Sequence, residues 1–360
     1  MSKPKIHLLA IAGTCRGLLE GLGFRTAREL IRFVQQAVGE GYRVTGNARL
    51  IEAPEDDYHG GRDDDAARAT DFQRCLADDA TAAAVTLRGG AWLTRILPCV
   101  NFDVLKRRRT GVALFGFSEI TTAINIAGRY RRAYSFYDLG PGFLRAGMSE
   151  YARRSIKALQ PEIEPGSEAA DAFADGWGSG QFRTKFAEFF RDVVGIVEGR
   201  GTTRSVTGTL VAGRLPARTS ATFIGGNLAC MLPLLGTPYA KAVDPADRWI
   251  VIEDVNEAPD RIDRMLGHLT LAGFWSRCRG VMLGDFHDKD GDQRAAVLAL
   301  LKHHFPKRRE LPVVATRDVG HIWPIAPLPV GRPVELVRTP TRRGRPVVHL
   351  RPPWADWAIR

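Results

Sequence analysis

Three short segments of this chain place reactive side-chain types at the ends of apolar runs. In Gly111-Val-Ala-Leu-Phe-Gly-Phe-Ser-Glu-Ile-Thr-Thr-Ala-Ile124, Val112 to Phe115 read as a short buried strand, and Ile120, Ala123, Ile124 and Ala127 return at helical spacing. Ser118 therefore sits at a sharp strand-to-helix turn. A serine there is either a nucleophile, displayed as in the Gly-x-Ser-x-Gly elbow of hydrolases, or a helix N-cap whose hydroxyl satisfies a free amide of the first turn. Ile120 occupies the place of the elbow's second glycine, so the motif alone leaves both open. Trp249-Ile-Val-Ile-Glu253-Asp254 is an apolar strand ending in two carboxylates, each able to serve a catalytic base, cap a helix, or pair with Arg261 or Arg264. Thr316-Arg-Asp-Val-Gly320-His321 puts an imidazole just after a strand, as a base or as a hydrogen-bonded structural group. Ile224-Gly-Gly-Asn-Leu228 reads as a tight turn opening a helix. His303-His304 and His287-Asp-Lys-Asp290-Gly-Asp292 lack the spacing of zinc or EF-hand ligands, so no metal and no cofactor is expected.

The elements that must position these groups are legible in outline. Ile6–Ala12 is a strand, followed by the turn Gly13-Thr-Cys-Arg-Gly17. Ala27–Val38 is an amphipathic helix with Leu30, Ile31, Val34 and Val38 on one side, and Arg43–Thr45 begins the next strand. Ala66–Leu76 is a helix, Ala82–Leu87 a strand ending at Arg88-Gly89-Gly90, and Trp92–Leu97 restarts a helix before the Ser118 strand. This β-α repetition implies a parallel sheet with helices on both faces, whose site lies beyond the carboxyl ends of the strands. Arg88-Gly89-Gly90 and Ser118 both fall at such ends. Pro161, Pro165 and several glycines make 145–179 a connecting region with a short helix, and Phe186–Val197 reads as another helix. From Thr207 onward strands dominate: Thr207–Val211, Trp249–Ile252, Gly280–Leu283, Val313–Ala315 and Val334–Val337, with helices at Asp260–Leu271 and Gln293–His304. The expected organisation is an α/β N-terminal unit over 1–144, a linker or lid over 145–206, a β-rich α/β unit over 207–345 and a tail over 346–360.

Composition narrows the class. The chain has 360 residues, is 44% hydrophobic and 25% charged, and has no apolar run near the ~18 residues of a membrane span. The N-terminus, with Lys3, Lys5 and a short apolar stretch to Ala12, has signal-peptide features, but His7 interrupts it and a first core strand explains the same residues; the expected location is the cytoplasm. Cys15, Cys75, Cys99, Cys230 and Cys278 show no close pairing, as expected of reduced thiols. The net charge of +11 gathers at Lys106–Arg109, at Arg129 with Arg131-Arg132, and around Arg342-Arg343. No helix-turn-helix, zinc-finger or aromatic RNA-binding signature accompanies it, so the reading is a solvated Arg-rich surface with mild attraction for anionic small molecules, and no nucleic-acid or membrane partner.

The ordered motifs resemble the serine LD-carboxypeptidase family, which includes murein tetrapeptide carboxypeptidases and microcin-immunity peptidases. The resemblance spans nearly the whole chain. Arg68–Asp79 with Leu87-Arg88-Gly89-Gly90 looks like the family's helix and Arg-Gly-Gly turn. Phe115-Gly-Phe-Ser118-Glu119-Ile-Thr121 looks like its nucleophile segment. Gly225-Gly-Asn-Leu228, Leu235-Gly-Thr-Pro-Tyr239, Ile252-Glu-Asp-Val255, Glu257-Ala-Pro259, Arg261–Leu266, Gly320-His321 and Leu328-Pro-Val-Gly331 follow in the family's order. The resemblance implies a Rossmann-like, glutamine-amidotransferase-like N-terminal domain and a β-rich α/β C-terminal domain. It also implies a Ser118–His321–Glu253 triad split between them, and a homodimer. A serine hydroxyl needs a base within hydrogen-bond reach and an anion to fix the base's tautomer, which agrees with that split. Backbone amides of Glu119 and of Gly89 and Gly90 are candidates for an oxyanion hole.

There are four departures from the family pattern, of which the second and third bear on the substrate pocket and the first and fourth leave the triad alone. Glu119 stands where the family usually has Asp; Ala91-Trp92 replaces Tyr-Gly; Leu139-Gly140-Pro141 replaces His-Gly-Pro; and the segment 145–215 is long. Arg88, Trp92 and Trp323 are candidate substrate contacts, Trp177 and Trp323 being possible stacking surfaces that ordinary packing also explains. The implied activity is removal of the terminal D-alanine from murein tetrapeptide during peptidoglycan recycling. The alternatives are a microcin-immunity-like amidase acting on aminoacyl-adenylate analogues, and a ligand-binding relative without turnover.

Overall fold

The strand and helix alternation of the first 140 residues folds into a twisted parallel sheet. The computed structural model describes residues 3–54, 63–138, 140–288, 291–305, 310–342, 344–357 and 359; the expectations placed on Leu139, Asp290 and Arg343 lie outside these. Strands β1 (Lys5–Leu9), β2 (Arg43–Gly46), β3 (Thr81–Thr86), β4 (Val112–Gly116) and β5 (Ala133–Tyr137) lie side by side in the order β5-β4-β3-β1-β2, all parallel. β3, β4 and β5 are buried along their whole length, as central strands covered on both faces must be. The helix Ala27–Val38 has the bounds its periodicity predicts, and Thr26 and Glu29 close a capping box at its start. One residue of the Lys106–Arg109 cluster departs from the solvated surface expected of it, while its neighbours are exposed. Arg108 is buried and donates to the carbonyls of Leu76, Asp78 and Thr81, pinning the loop before β4.

The second half supplies β6 (Thr207–Ala212), β7 (Arg218–Asn227), β8 (Trp249–Val255), β9 (Gly280–Asp288), β10 (Gly291–Asp292), β11 (Val313–Ala315), β12 (Leu328–Val330), β13 (Pro333–Thr339) and β14 (Val347–Arg351), all but β12 forming a second sheet. Its order is β10-β9-β11-β6-β14-β13-β7-β8, and β8 also pairs with β9, so the sheet closes on itself as a barrel without free main edges. β12 pairs antiparallel with β5, so the chain crosses back to extend the first sheet before it completes the barrel with β13 and β14.

Three expectations change here. Residues 346–360 are not a simple tail, because β14 lies between β13 and β6. Residues 145–206 are dominated by helices Leu144–Arg154 and Glu168–Val197, the second of 30 residues and capped by Ser167. Its glycines do not end it: Phe182, Phe186 and Phe190, four apart, are buried against the body of the protein, and Trp177 stacks on Tyr151 of the preceding helix. Gly225 and Gly226 belong to the end of strand β7, with the short helix Leu228–Met231 beginning only after Asn227. No helix among the described residues is long and apolar enough to cross a membrane.

Candidate active site

Ser118 lies where β4 runs out. β4 ends at Gly116, Phe117 is fully extended, and Ser118 takes the left-handed conformation at φ 54°, opening a single 3-10 turn, Ser118–Ile120, that leads into the helix Thr121–Ala127. A β-carbon residue rarely adopts this backbone, and its presence at a strand-to-helix turn is the geometry of a nucleophile elbow. The serine hydroxyl caps neither the 3-10 turn nor the helix. The neighbouring turn after β3 presses against it: a β-carbon on Gly89 would lie 2.6 Å from Ser118 Cβ, so only glycine lets this backbone approach the hydroxyl so closely. Gly90, at φ 114°, backs onto Gly13 from the end of β1. Gly89, Gly90 and Glu119 thus surround Ser118 at the carboxyl ends of the central strands.

The other two groups come from the barrel. Glu253, on β8, has no solvent exposure, and His321, in the loop after β11, has 4%. His321 Nδ1 is 2.7 Å from Glu253 Oε2, which fixes the ring with Nε2 as its free nitrogen. Burial works against a charged imidazole here, but the Glu253 carboxylate outweighs it and holds the His321 pKa above its ordinary value. Phe117 and Phe143 flank the imidazole, with ring centroids 5.2 and 5.4 Å away. Phe117 is the residue before Ser118, so the imidazole packs against the side chain next to the elbow. No hydrogen bond joins Ser118 Oγ to His321 among the described residues.

Asp254 faces away from this pair. Its oxygens accept from Asn227 Nδ2, the Ala229 amide and the Val255 amide, each at 2.9 Å, and tie β8 to the start of the helix after β7. Arg261 and Arg264, one of the options for either carboxylate, pair instead with Glu257 and Asp260 one helical turn away. Burial, then the nearby Glu253 charge, pushes the Asp254 pKa up to about 6.

Glu119 works through its side chain as well as its position. Oε1 accepts the amides of Leu93 and Thr94 at 3.0 and 3.3 Å, capping the helix Leu93–Ile96 that follows the glycine turn. Burial raises its pKa despite those two amides. Arg88 is half-buried and donates to the Thr14 carbonyl at 3.0 Å. Trp92 is left-handed at φ 75° and its carbonyl accepts from the buried Arg68, so its backbone is structural while its ring is half-buried beside Arg95. Trp323 packs edge-on against Tyr151 and Trp177, and its amide donates to Gly147 O at 3.2 Å, joining the His321 loop to the helical insert.

One residue of this site has no motif in the sequence. Tyr137, buried at the end of β5, donates its hydroxyl to Glu253 Oε1 and accepts the Ser118 amide at 3.2 Å. The signal was present only as register: Gly116 and Tyr137 are paired residues on adjacent strands. Recognising it required β5, which the sequence pattern did not resolve.

A serine at a left-handed strand-to-helix turn on one unit and a buried carboxylate–imidazole pair on the other are the side-chain types that a hydrolase site uses. Comparison with known proteins gives the family. Residues 6–137 match the model of the LD-carboxypeptidase N-terminal domain and residues 220–336 that of the LD-carboxypeptidase C-terminal domain, and the chain belongs to the LD-carboxypeptidase family. It is 26% identical over 304 residues to the Bacillus subtilis (strain 168) protein YocD, which carries a carboxypeptidase name, covering 81% of this chain and 82% of that one. A second protein of that organism, named for murein peptide carboxypeptidase activity, is 29% identical over 119 residues, 32% of this chain and 37% of its own length. Among solved structures, the muramoyltetrapeptide carboxypeptidase from Oxalobacter formigenes superposes with a TM-score of 0.59 at 20% identity, over 97% of this chain and 99% of that one. The microcin C7 self-immunity protein MccF in complex with aspartyl sulfamoyl adenosine gives 0.61 at 14% identity, over 98% and 97%. At these identities the structures establish the shared fold.

Proposed function

We propose that this peptidase-family protein is a serine LD-carboxypeptidase that releases the terminal D-alanine from murein tetrapeptide. The observation that carries the reading is the buried His321–Glu253 pair, 2.7 Å apart, together with a left-handed Ser118. Ser118 Oγ attacks the carbonyl carbon at the L-centre of diaminopimelate while His321 Nε2 takes its proton. Glu253 steadies the imidazolium, and the amides of Glu119 and the Gly89-Gly90 turn receive the oxyanion. When the C–N bond breaks, His321 returns the proton to the departing D-alanine amine. Water, deprotonated by His321, then attacks the acyl ester, and Ser118 leaves with the proton.

The free thiols of the cysteines support a cytoplasmic setting. A homodimer and a role in peptidoglycan recycling belong to the same proposal. The second reading, an amidase for aminoacyl-adenylate analogues, draws on the half-buried Trp323–Trp177 pair two residues beyond His321. Those rings already pack on each other and on Tyr151, which favours the first reading. Supplying each substrate to the purified protein and following product by chromatography decides between them. Tripeptide from the first and no cleavage of an aminoacyl-sulfamoyl adenosine is the expected result; the reverse would replace the proposal with the alternative.

A further inference from the structure

Glu253 is fully buried, and both of its oxygens are engaged. Oε2 faces His321 Nδ1, and Oε1 receives the Tyr137 hydroxyl hydrogen. The same phenolic oxygen accepts the Ser118 N–H at 3.2 Å. One side chain of the first sheet thus touches the backbone of the elbow and the carboxylate of the barrel. The barrel is shaped around it: a β-carbon on Gly226, whose φ is 138°, would come within 2.5 Å of the Tyr137 ring. Resting on the serine mechanism above, we propose that Tyr137 is a positioning residue, whose hydroxyl registers the Ser118 elbow against the Glu253–His321 pair and holds the Glu253 carboxylate turned toward the histidine.

The phenol is suited to this as a permanent donor. Burial, and then the Glu253 charge, hold its pKa well above that of an exposed tyrosine, so it keeps its proton and does not serve as the base. The charged groups around the pair are otherwise committed. Asp254 is held by Asn227 and two amides. Asp285, packed behind Gly320, is paired with Arg154 and His287. The Cys230 thiol, which senses Glu253 and Asp254, is kept protonated by burial. None of them donates to Glu253 Oε1 among the described residues. Without Tyr137 the Glu253–His321 pair would hold its shared proton more tightly, because a buried carboxylate oxygen would lose its donor.

The test compares Tyr137→Phe with wild type, with Ser118→Ala and Glu253→Gln as references, on D-alanine release from murein tetrapeptide. The expected result is a fall in kcat of roughly tenfold to a hundredfold, the worth of a hydrogen bond to a charged group, with KM changed little. The acid limb of kcat/KM is expected to move to higher pH by about half to one unit. A fluorotyrosine at 137, which keeps the shape but donates more strongly, is expected to move that limb to lower pH and serves if the phenylalanine variant does not fold. Wild-type kcat and an unmoved limb in Tyr137→Phe, with Ser118→Ala inactive, would overturn the role of Tyr137 and leave the serine mechanism standing. Loss of rate with no movement of the limb would mark simple packing and overturn it equally. Activity in Ser118→Ala would overturn the mechanism and this inference with it.

Discussion

Exchanging the acid at 253 and at 254 for its amide should produce opposite phenotypes from adjacent residues. Glu253 accepts from His321 Nδ1 at 2.7 Å and from Tyr137, so glutamine fits the space but puts an NH2 where an acceptor is required and removes the charge that stabilises the imidazolium. In a serine triad, an amide in place of the acid costs about 10⁴-fold in kcat, or ~5.5 kcal/mol of activation free energy. Asp254 accepts three N–H groups at 2.9 Å and contacts neither the imidazole nor Ser118. Asparagine there turns an NH2 toward a donor it cannot pair with, which costs ~1–3 kcal/mol of stability. The rate of the folded fraction should stay within about tenfold of wild type. The assay is D-alanine release at matched folded fraction, with the fraction set from a thermal melt. An inactive Asp254→Asn beside an active Glu253→Gln would refute the reasoning and reassign the triad.

Ser118→Gly should abolish turnover by ~10³-fold or more and stabilise the fold by about 1 kcal/mol, since glycine adopts the left-handed backbone freely; a denaturant melt checks the second part. Because Glu253 raises the His321 pKa and the neutral imidazole is the active form, kcat/KM should fall as pH drops through a midpoint above the ordinary histidine value of ~6.5. Asp254, at about 6, binds its proton more tightly folded than unfolded. Its cost to stability is therefore fully present above that value and relieved as pH falls toward the ordinary aspartate range, a trend Asp254→Asn should lose in melts from pH 7 to 5. Activity should survive EDTA or phenanthroline, because the histidine-rich segments lack ligand spacing; loss on chelation with recovery on added zinc would argue for a different mechanism.

The parts of the fold that carry local periodicity were readable. Ala27–Val38 announces itself by its apolar stripe, and Val313–Ala315 by its apolar run. β5, β7, β12 and β14 were not, because their identity depends on pairing with strands far away in sequence: β12 with β5, and β14 with β13 and β6. The long helix Glu168–Val197 was read as broken because its glycines weaken local propensity, while burial of Phe182, Phe186 and Phe190 overrides them. At the site, Ser118, Glu253 and His321 stood out because each sits at a strand end in a recognisable motif. Tyr137 did not, since nothing local distinguishes a tyrosine that closes a hydrogen-bond chain from one that fills a core. Only the β4–β5 register and the approach of the barrel reveal it.

The most direct measurement is mass spectrometry of murein tetrapeptide after incubation with the purified protein, run beside its Ser118→Ala variant. The account predicts a product lighter by one D-alanine residue with the wild-type protein and intact tetrapeptide with the variant. Intact tetrapeptide with both, or equal conversion by both, would contradict it.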